Sequence, residues 1–249
     1  MATNCNEASL QSSEPIESST LDVGGHRVHY LKAGSGPPIV LLHGGASDCR
    51  DWKETMTALS PSYSVYAPDM IGFGLSDRNS DGYYLSDFVD STIEFIDTLG
   101  LSSQTMVGHS LGGRVCLEVA YRHPDKVKHL VLVDTIGFRK LSPLGTVLGT
   151  LAWGMRKVMG QRQPFPKLLL DDADKQHWMC LHKLPQIDIP TLIVWSRHDP
   201  YVPVDGAKKA KDLLPQAKLE IFPGYGHAPH INKRDAFNGL LLRFLNHDV

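Results

Sequence analysis

The sequence predicts an α/β fold: a mostly parallel, doubly wound sheet with helices on both faces. Three observations point to it. Short apolar runs alternate with stretches of helical periodicity, the pattern of strand–helix–strand units. Residues 39–42, 130–133 and 192–195 are apolar without interruption, as strands buried on both faces must be. Finally, a strand-like run at 104–107 enters Gly108-His109-Ser110-Leu111-Gly112-Gly113, and a helical stretch follows at 114–120. Strand, G-x-S-x-G and helix in that order form the setting of a nucleophile elbow.

The elements follow in order. Residues 20–23 and 26–32 flank Gly24-Gly25, a hairpin signal, so the domain is expected to open with antiparallel strands. The next strand, 37–43, runs into His43-Gly44-Gly45. A helix is expected to start near Asp51-Trp52, with a strand at 63–68 and a glycine-rich loop at 69–77. Ser86 is expected to cap a helix that turns Phe88, Val89, Ile93, Phe95, Ile96 and Leu99 inward and stops at Gly100. After the elbow comes a strand at 127–133. Residues 136–187 carry no strand pattern and read as an insert of two or three helices. Strands resume at 191–195 and 218–222, with helices at 207–214 and 235–245.

Composition narrows the function classes. The 249 residues suit one large α/β domain as well as two small ones, and a net charge of −2 gives no electrostatic pull toward nucleic acid or anionic membranes. The four cysteines have no metal or C-x-x-C spacing, which suits free thiols in a reducing compartment. No apolar run is long enough to span a bilayer. Residues 1–19, rich in Ser, Glu and Asn, resemble neither a secretory signal nor a transit peptide and read as a disordered lead. The expected layout is this lead, a core of 20–135 plus 188–249, and the insert 136–187. The expected compartment is the cytoplasm.

An elbow serine needs a base within hydrogen-bond reach and a third group to orient that base. In a doubly wound sheet such groups lie past the carboxyl ends of the strands. Asp199 follows the penultimate strand, in a loop stiffened by Pro200 and Pro203, and His227 follows the last strand directly after Gly226. Ser110, Asp199 and His227 are therefore the candidate catalytic residues. Asp134, at the end of another strand, is the alternative acid. His230 is the alternative base, and His198 reads as a neighbour of the acid. The backbone N–H groups of Gly45 and Leu111 are the candidate oxyanion hole. His43 reads as structural. The insert is rich in Leu, Met and Trp (Leu148, Leu151, Trp153, Met155, Met159, Trp178, Met179). Candidate substrate contacts are Leu148, Trp153 and Trp178 there, and His109 beside the nucleophile. No metal-binding or phosphate-binding motif occurs, so no metal and no cofactor is expected.

Taken together, His43-Gly44-Gly45, Asp69-x-x-Gly72-x-Gly74-x-Ser76, Gly108-His109-Ser110-Leu111-Gly112-Gly113, Asp199-Pro200-x-Val202-Pro203 and Gly226-His227 resemble the α/β-hydrolase fold superfamily. The resemblance runs from about Leu21 to the C-terminus. It implies an eight-stranded sheet, a serine nucleophile and a short helical lid between strands six and seven. Dehalogenase and epoxide hydrolase groups carry aspartate where this chain has Ser110. Meta-cleavage-product hydrolases commonly carry Trp after the histidine and Asn before the serine, positions held here by Ala228 and His109. Gly-His-Ser-Leu-Gly-Gly is most similar to carboxylesterases and lipase-like members. The resemblance thus implies a small-molecule ester as partner. A carbon–carbon bond hydrolase and a ligand receptor that keeps the fold are the alternatives.

Overall fold

The computed structural model of the protein describes residues 15–45, 47–79, 82–158 and 178–246. Eight strands make one sheet: β1 (Glu17–Val23), β2 (His26–Ala33), β3 (Pro38–Leu42), β4 (Ser64–Pro68), β5 (Gln104–His109), β6 (Val127–Val133), β7 (Thr191–His198) and β8 (Ala217–Tyr225). Their spatial order is β1-β2-β4-β3-β5-β6-β7-β8. The β1–β2 and β2–β4 pairs are antiparallel, and every later pair is parallel. Among the described residues, seven helices accompany the strands: α1 (Lys53–Leu59), α2 (Leu85–Thr98), α3 (Leu111–Arg122), α4 (Pro143–Val158), α5 (Asp205–Leu213), the short α6 (Pro229–Asn232) and α7 (Arg234–Leu245).

The apolar runs are explained by burial on both faces. Successive strand residues point to opposite sides. Ile39, Leu41, Val131, Val133, Leu192 and Val194 pack with Trp52, Met56, Phe237 and Leu241 on one face. Val40, Leu42, Leu130, Leu132, Ile193 and Trp195 pack with Phe88, Phe95, Val115 and Leu117 on the other. A strand that must be apolar at both parities cannot show alternation, and these do not.

Three local expectations are corrected. The first strand begins at Glu17, three residues before the expected boundary at 20, because each residue from Glu17 to Val23 pairs with β2. Residues 1–14 lie outside the described residues. Ser86 is inside α2 and does not cap it. Tyr84 is the N-cap, and its N–H donates to Asp87 Oδ2 at 2.7 Å, so Asp87 satisfies the helix end from inside the first turn. Finally, β8 runs on through Pro223 to Tyr225. It is the edge strand, where a residue without an N–H is tolerated.

Between β6 and β7 lie α4 and a 3₁₀ turn, Leu181–Gln186. The turn is fastened to α3 by Lys183, whose Nζ donates to Glu118 Oε1 and Oε2 at 2.8 Å. Along α4, Leu144, Val147, Leu151, Met155 and Val158 are exposed. Residues 159–177, which include Met159 of the expected insert, lie outside the described residues. Among the described residues, no helix is long and apolar enough to cross a membrane.

Candidate active site

The parallel strands deliver one polar residue each to the same edge. Ser110 follows β5, Asp134 follows β6, Asp199 follows β7 and His227 follows β8. His43, Gly44 and Gly45 follow β3, the other neighbour of β5.

Ser110 sits at φ 51° and ψ −109°, in the left-handed half of the map, where a residue with a Cβ is strained. Tight packing imposes this turn. A Cβ on Gly108 would lie 2.4 Å from the Gly112 carbonyl oxygen, and one on Gly112 would lie 2.4 Å from that of Leu42. Only glycine fits on either side of the serine. The turn is also held from β6, since Ser110 N–H donates to the Val133 carbonyl at 2.9 Å.

His227 Nε2 is 3.0 Å from Ser110 Oγ, and His227 Nδ1 is 2.6 Å from Asp199 Oδ2. The carboxylate can only accept, so Nδ1 carries the proton and Nε2 is free to accept one from the serine. The other carboxylate oxygen, Asp199 Oδ1, accepts the N–H groups of Tyr201 at 2.7 Å and Val202 at 2.9 Å. Both oxygens are thereby committed, and the imidazole is held in one tautomer. The chain Ser110–His227–Asp199 can pass the hydroxyl proton to a nitrogen and stabilise the imidazolium that forms.

Gly45 lies against the Ser110 turn: a Cβ there would be 3.4 Å from Leu111 Cδ2. The loop that carries it is fastened by His43, which is fully buried. His43 Nε2 accepts Met70 N–H at 3.0 Å, so Nδ1 donates to the Gly44 carbonyl at 2.8 Å. Burial lowers its pKa, partly opposed by that bond and by Asp69, which keeps the ring neutral for this work.

His109 does not face open space. Its ring packs between His227, 4.9 Å away, and His230, 4.6 Å away, and its Nε2 is 2.5 Å from the His227 carbonyl oxygen. Burial and the two flanking histidines push its pKa well below the usual value, so a neutral ring braces the backbone of His227. His230 is buried too, stacked on Trp52 at 4.3 Å, and burial lowers its pKa to about 3. Trp178 is packed in the same core cluster as α2 and α3, and its carbonyl accepts Arg114 Nε–H at 3.1 Å. The side chains of Leu148 and Trp153 lie outside the described residues. The sequence pattern did not single out Ser196, which bonds Asp134, or assign His230 its packing role. The spacing His227-x-x-His230 was the available signal for the latter.

Among the described residues, two groups bring three metal-type side chains together: His29–Cys49–Asp69 and Asp134–Asp199–His227. In the first, Asp69 already accepts from Cys49 N–H at 2.7 Å, from Leu75 N–H at 2.8 Å and from His29 Nδ1 at 2.8 Å. Those bonds make it a joint that pins the glycine-rich loop after β4 to β2.

Comparison with known proteins agrees with the fold. A family model described as alpha/beta hydrolase fold matches residues 37–175 and 178–234. The chain is similar to the 2-hydroxy-6-oxo-2,4-heptadienoate hydrolase of Pseudomonas putida, with 29% identity over 89% of this chain and 94% of that protein. Among solved structures, a meta-cleavage product hydrolase from Pseudomonas fluorescens aligns at a TM-score of 0.76 and 26% identity, covering 93% of this chain and 98% of that one. A thermophilic esterase from Thermogutta terrifontis shares the fold at a TM-score of 0.76 and 20% identity, over 93% and 98% of the two chains.

Proposed function

The chain belongs to the α/β-hydrolase fold family and is a hydrolase of that fold, and from this we propose that it cleaves a carboxylic ester of a small or medium apolar substrate through an acyl-enzyme. The observation that carries the reading is the Ser110–His227–Asp199 chain, with links of 3.0 and 2.6 Å. Ser110 Oγ attacks the ester carbonyl carbon while His227 Nε2 takes the hydroxyl proton. Negative charge gathers on the carbonyl oxygen, where the N–H groups of Gly45 and Leu111 receive it; Leu111 adds the positive end of α3. The tetrahedral intermediate expels the alcohol, which takes the proton from His227, and Ser110 is left acylated. Water then repeats the sequence, with His227 again as base, and releases the acid.

A second reading, hydrolysis of a carbon–carbon bond, is favoured by the names of the Pseudomonas relatives. Two residues support the ester over it: His109, whose ring is turned onto the His227 backbone, and Ala228, which leaves no indole beside the base. A cytoplasmic location belongs to the same proposal, supported by free thiols at Cys49, Cys116 and Cys180.

The test combines covalent labelling with turnover. A fluorophosphonate probe should label the protein, and Ser110→Ala should abolish labelling. p-Nitrophenyl esters of graded chain length should be turned over, and faster than a 2-hydroxy-6-oxo-dienoate. Faster dienoate cleavage would transfer the assignment to the second reading. Labelling without turnover of either substrate would favour a ligand receptor. Ester turnover by Ser110→Ala would remove the serine as nucleophile.

A further inference from the structure

One group at the site edge takes no part in the chemistry above. Asp134 directly follows β6, is fully buried, and stands at φ 41°, a left-handed conformation uncommon outside glycine. Its neighbours on both sides bind the nucleophile turn: Val133 accepts the Ser110 N–H at 2.9 Å, and Ile136 N–H donates to the Ser110 carbonyl at 3.4 Å. Thr135 packs so closely on α3 that a Cβ on Gly113 would lie 2.1 Å from its Oγ1. The Asp134 side chain reaches the other way. Oδ1 accepts Ser196 N–H at 2.8 Å, and Oδ2 is 2.9 Å from Ser196 Oγ, three residues before Asp199. One carboxyl oxygen of Asp134, one of Asp199 and one ring nitrogen of His227 lie within 4.8 Å of one another.

We propose that Asp134 is a positioning residue of the triad: a second carboxyl group that ties the nucleophile turn to the loop of the acid and shares its charge with the Asp199–His227 pair. The proposal rests on the serine-hydrolase reading.

Two carboxylates this close in a buried place are not both ionised cheaply. Burial, and then Asp199, push the Asp134 carboxyl up to about 7, against the opposing pull of His227 and the two Ser196 bonds. The other titratable groups around His227 are Tyr201 from the loop after β7, His109 from β5 and His230 from α6. Burial keeps the two histidines neutral where Asp134 titrates, so they add no charge. Asp134 is thus the titrating neighbour of the pair. A proton on His227 binds better when Asp134 is ionised, and worse when it is not. The two protons are anticooperative, and the pH profile belongs to the cluster.

The experiment follows the rate of fluorophosphonate labelling from pH 5 to 9, with Ser110→Ala as the blank. The acid limb of the wild-type protein should be broader than a one-proton curve. Asp134→Asn keeps both bonds to Ser196 but cannot ionise. Its limb should sharpen to one proton and move to lower pH by about half a unit to one unit. Asp134→Ala, which loses the tether, should lower the labelling rate at every pH by about tenfold or more, because the turn and the acid loop are no longer aligned. A wild-type limb that fits one proton overturns the proposal, and needs no variant to fold. So does an Asp134→Asn limb that superimposes on wild type. Wild-type protein that takes no label overturns the serine-hydrolase reading and this proposal with it, a failure distinct from either limb result.

Discussion

Replacing Asp199 by asparagine should disable the base without disturbing the fold. The amide offers one oxygen and one NH₂ where the carboxylate offered two acceptors. Tyr201 and Val202 present two backbone N–H groups, at 2.7 and 2.9 Å, to the Oδ1 position. The amide oxygen therefore settles there, and the NH₂ takes the place of Oδ2, facing His227 Nδ1. Two N–H groups cannot face each other, so the ring moves its proton to Nε2. That nitrogen is the one 3.0 Å from Ser110 Oγ, and it can no longer accept. The working tautomer returns only if the amide flips. Flipping leaves two backbone donors unmatched, at about 1–3 kcal/mol each, or roughly 2–6 kcal/mol together. That corresponds to a loss of roughly 30-fold to a few times 10⁴-fold in kcat. The same exchange in serine proteases costs about 10⁴. KM for a p-nitrophenyl ester should change little, since no substrate contact is removed. The assay is kcat and KM at saturating pH, with thermal melting as the control for folding. A loss of less than about tenfold, in protein that melts as wild type does, would refute the tautomer argument and move the acid's role to Asp134.

Glu118 is the anion on which Arg114, Arg122 and Lys183 converge, and the Arg114 side chain is fully buried. Glu118→Ala removes the carboxylate that opposes a buried guanidinium and should cost about 3–5 kcal/mol in urea unfolding; a loss below about 1 kcal/mol contradicts this. Burial alone would raise the Glu118 pKa, but Lys183 and the arginines hold it at about 2, so its stabilising charge is complete above the ordinary value of 4.5 and is lost as pH falls toward 2. His230 works with the opposite charge. Burial lowers it from 6.5 to about 3, so below 6.5 the unfolded chain takes up a proton that the folded one refuses, and stability drains as pH falls through that window. His230→Phe keeps the ring against Trp52 and should flatten stability against pH between those values; an unchanged slope would show that the acid loss arises elsewhere. In the insert, Leu148→Ala and Trp153→Ala should change the kcat/KM ratio between short and medium esters. If the ratio is untouched while Tm falls, these residues only pack.

Much of this protein is decided by short-range chemistry, and that part is legible in the sequence. The glycine at 108 is required by a clash with Gly112, four residues on, so half of the elbow announces itself locally; the glycine at 112 is required by the Leu42 carbonyl of the neighbouring strand. Strands apolar at both parities report burial on both faces before any neighbour is known. The chain order Ser110, Asp199, His227 follows from which strand each residue ends. Strand ends and caps were less legible: Glu17 joins β1 only because β2 is there to pair with it, and Asp87 rather than Ser86 satisfies the start of α2.

Tertiary structure decided what depends on which loops meet. Ser110 and His227 are 117 positions apart in the chain, and Asp134 and Ser196 are 62 apart. Asp134 and Asp199 both end strands, and their local sequences describe either as an acid. Only the packing of β6, β7 and β8 side by side sets Asp199 on His227 Nδ1 and turns Asp134 onto Ser196. His109 stands beside Ser110 in the chain, yet its ring braces the backbone of His227. The sterics inside a tight turn, as between Gly108 and Gly112, act between near neighbours and leave a mark on the sequence. Side-chain direction and shared charge arise between distant segments, and they exist only once the sheet has brought those segments together.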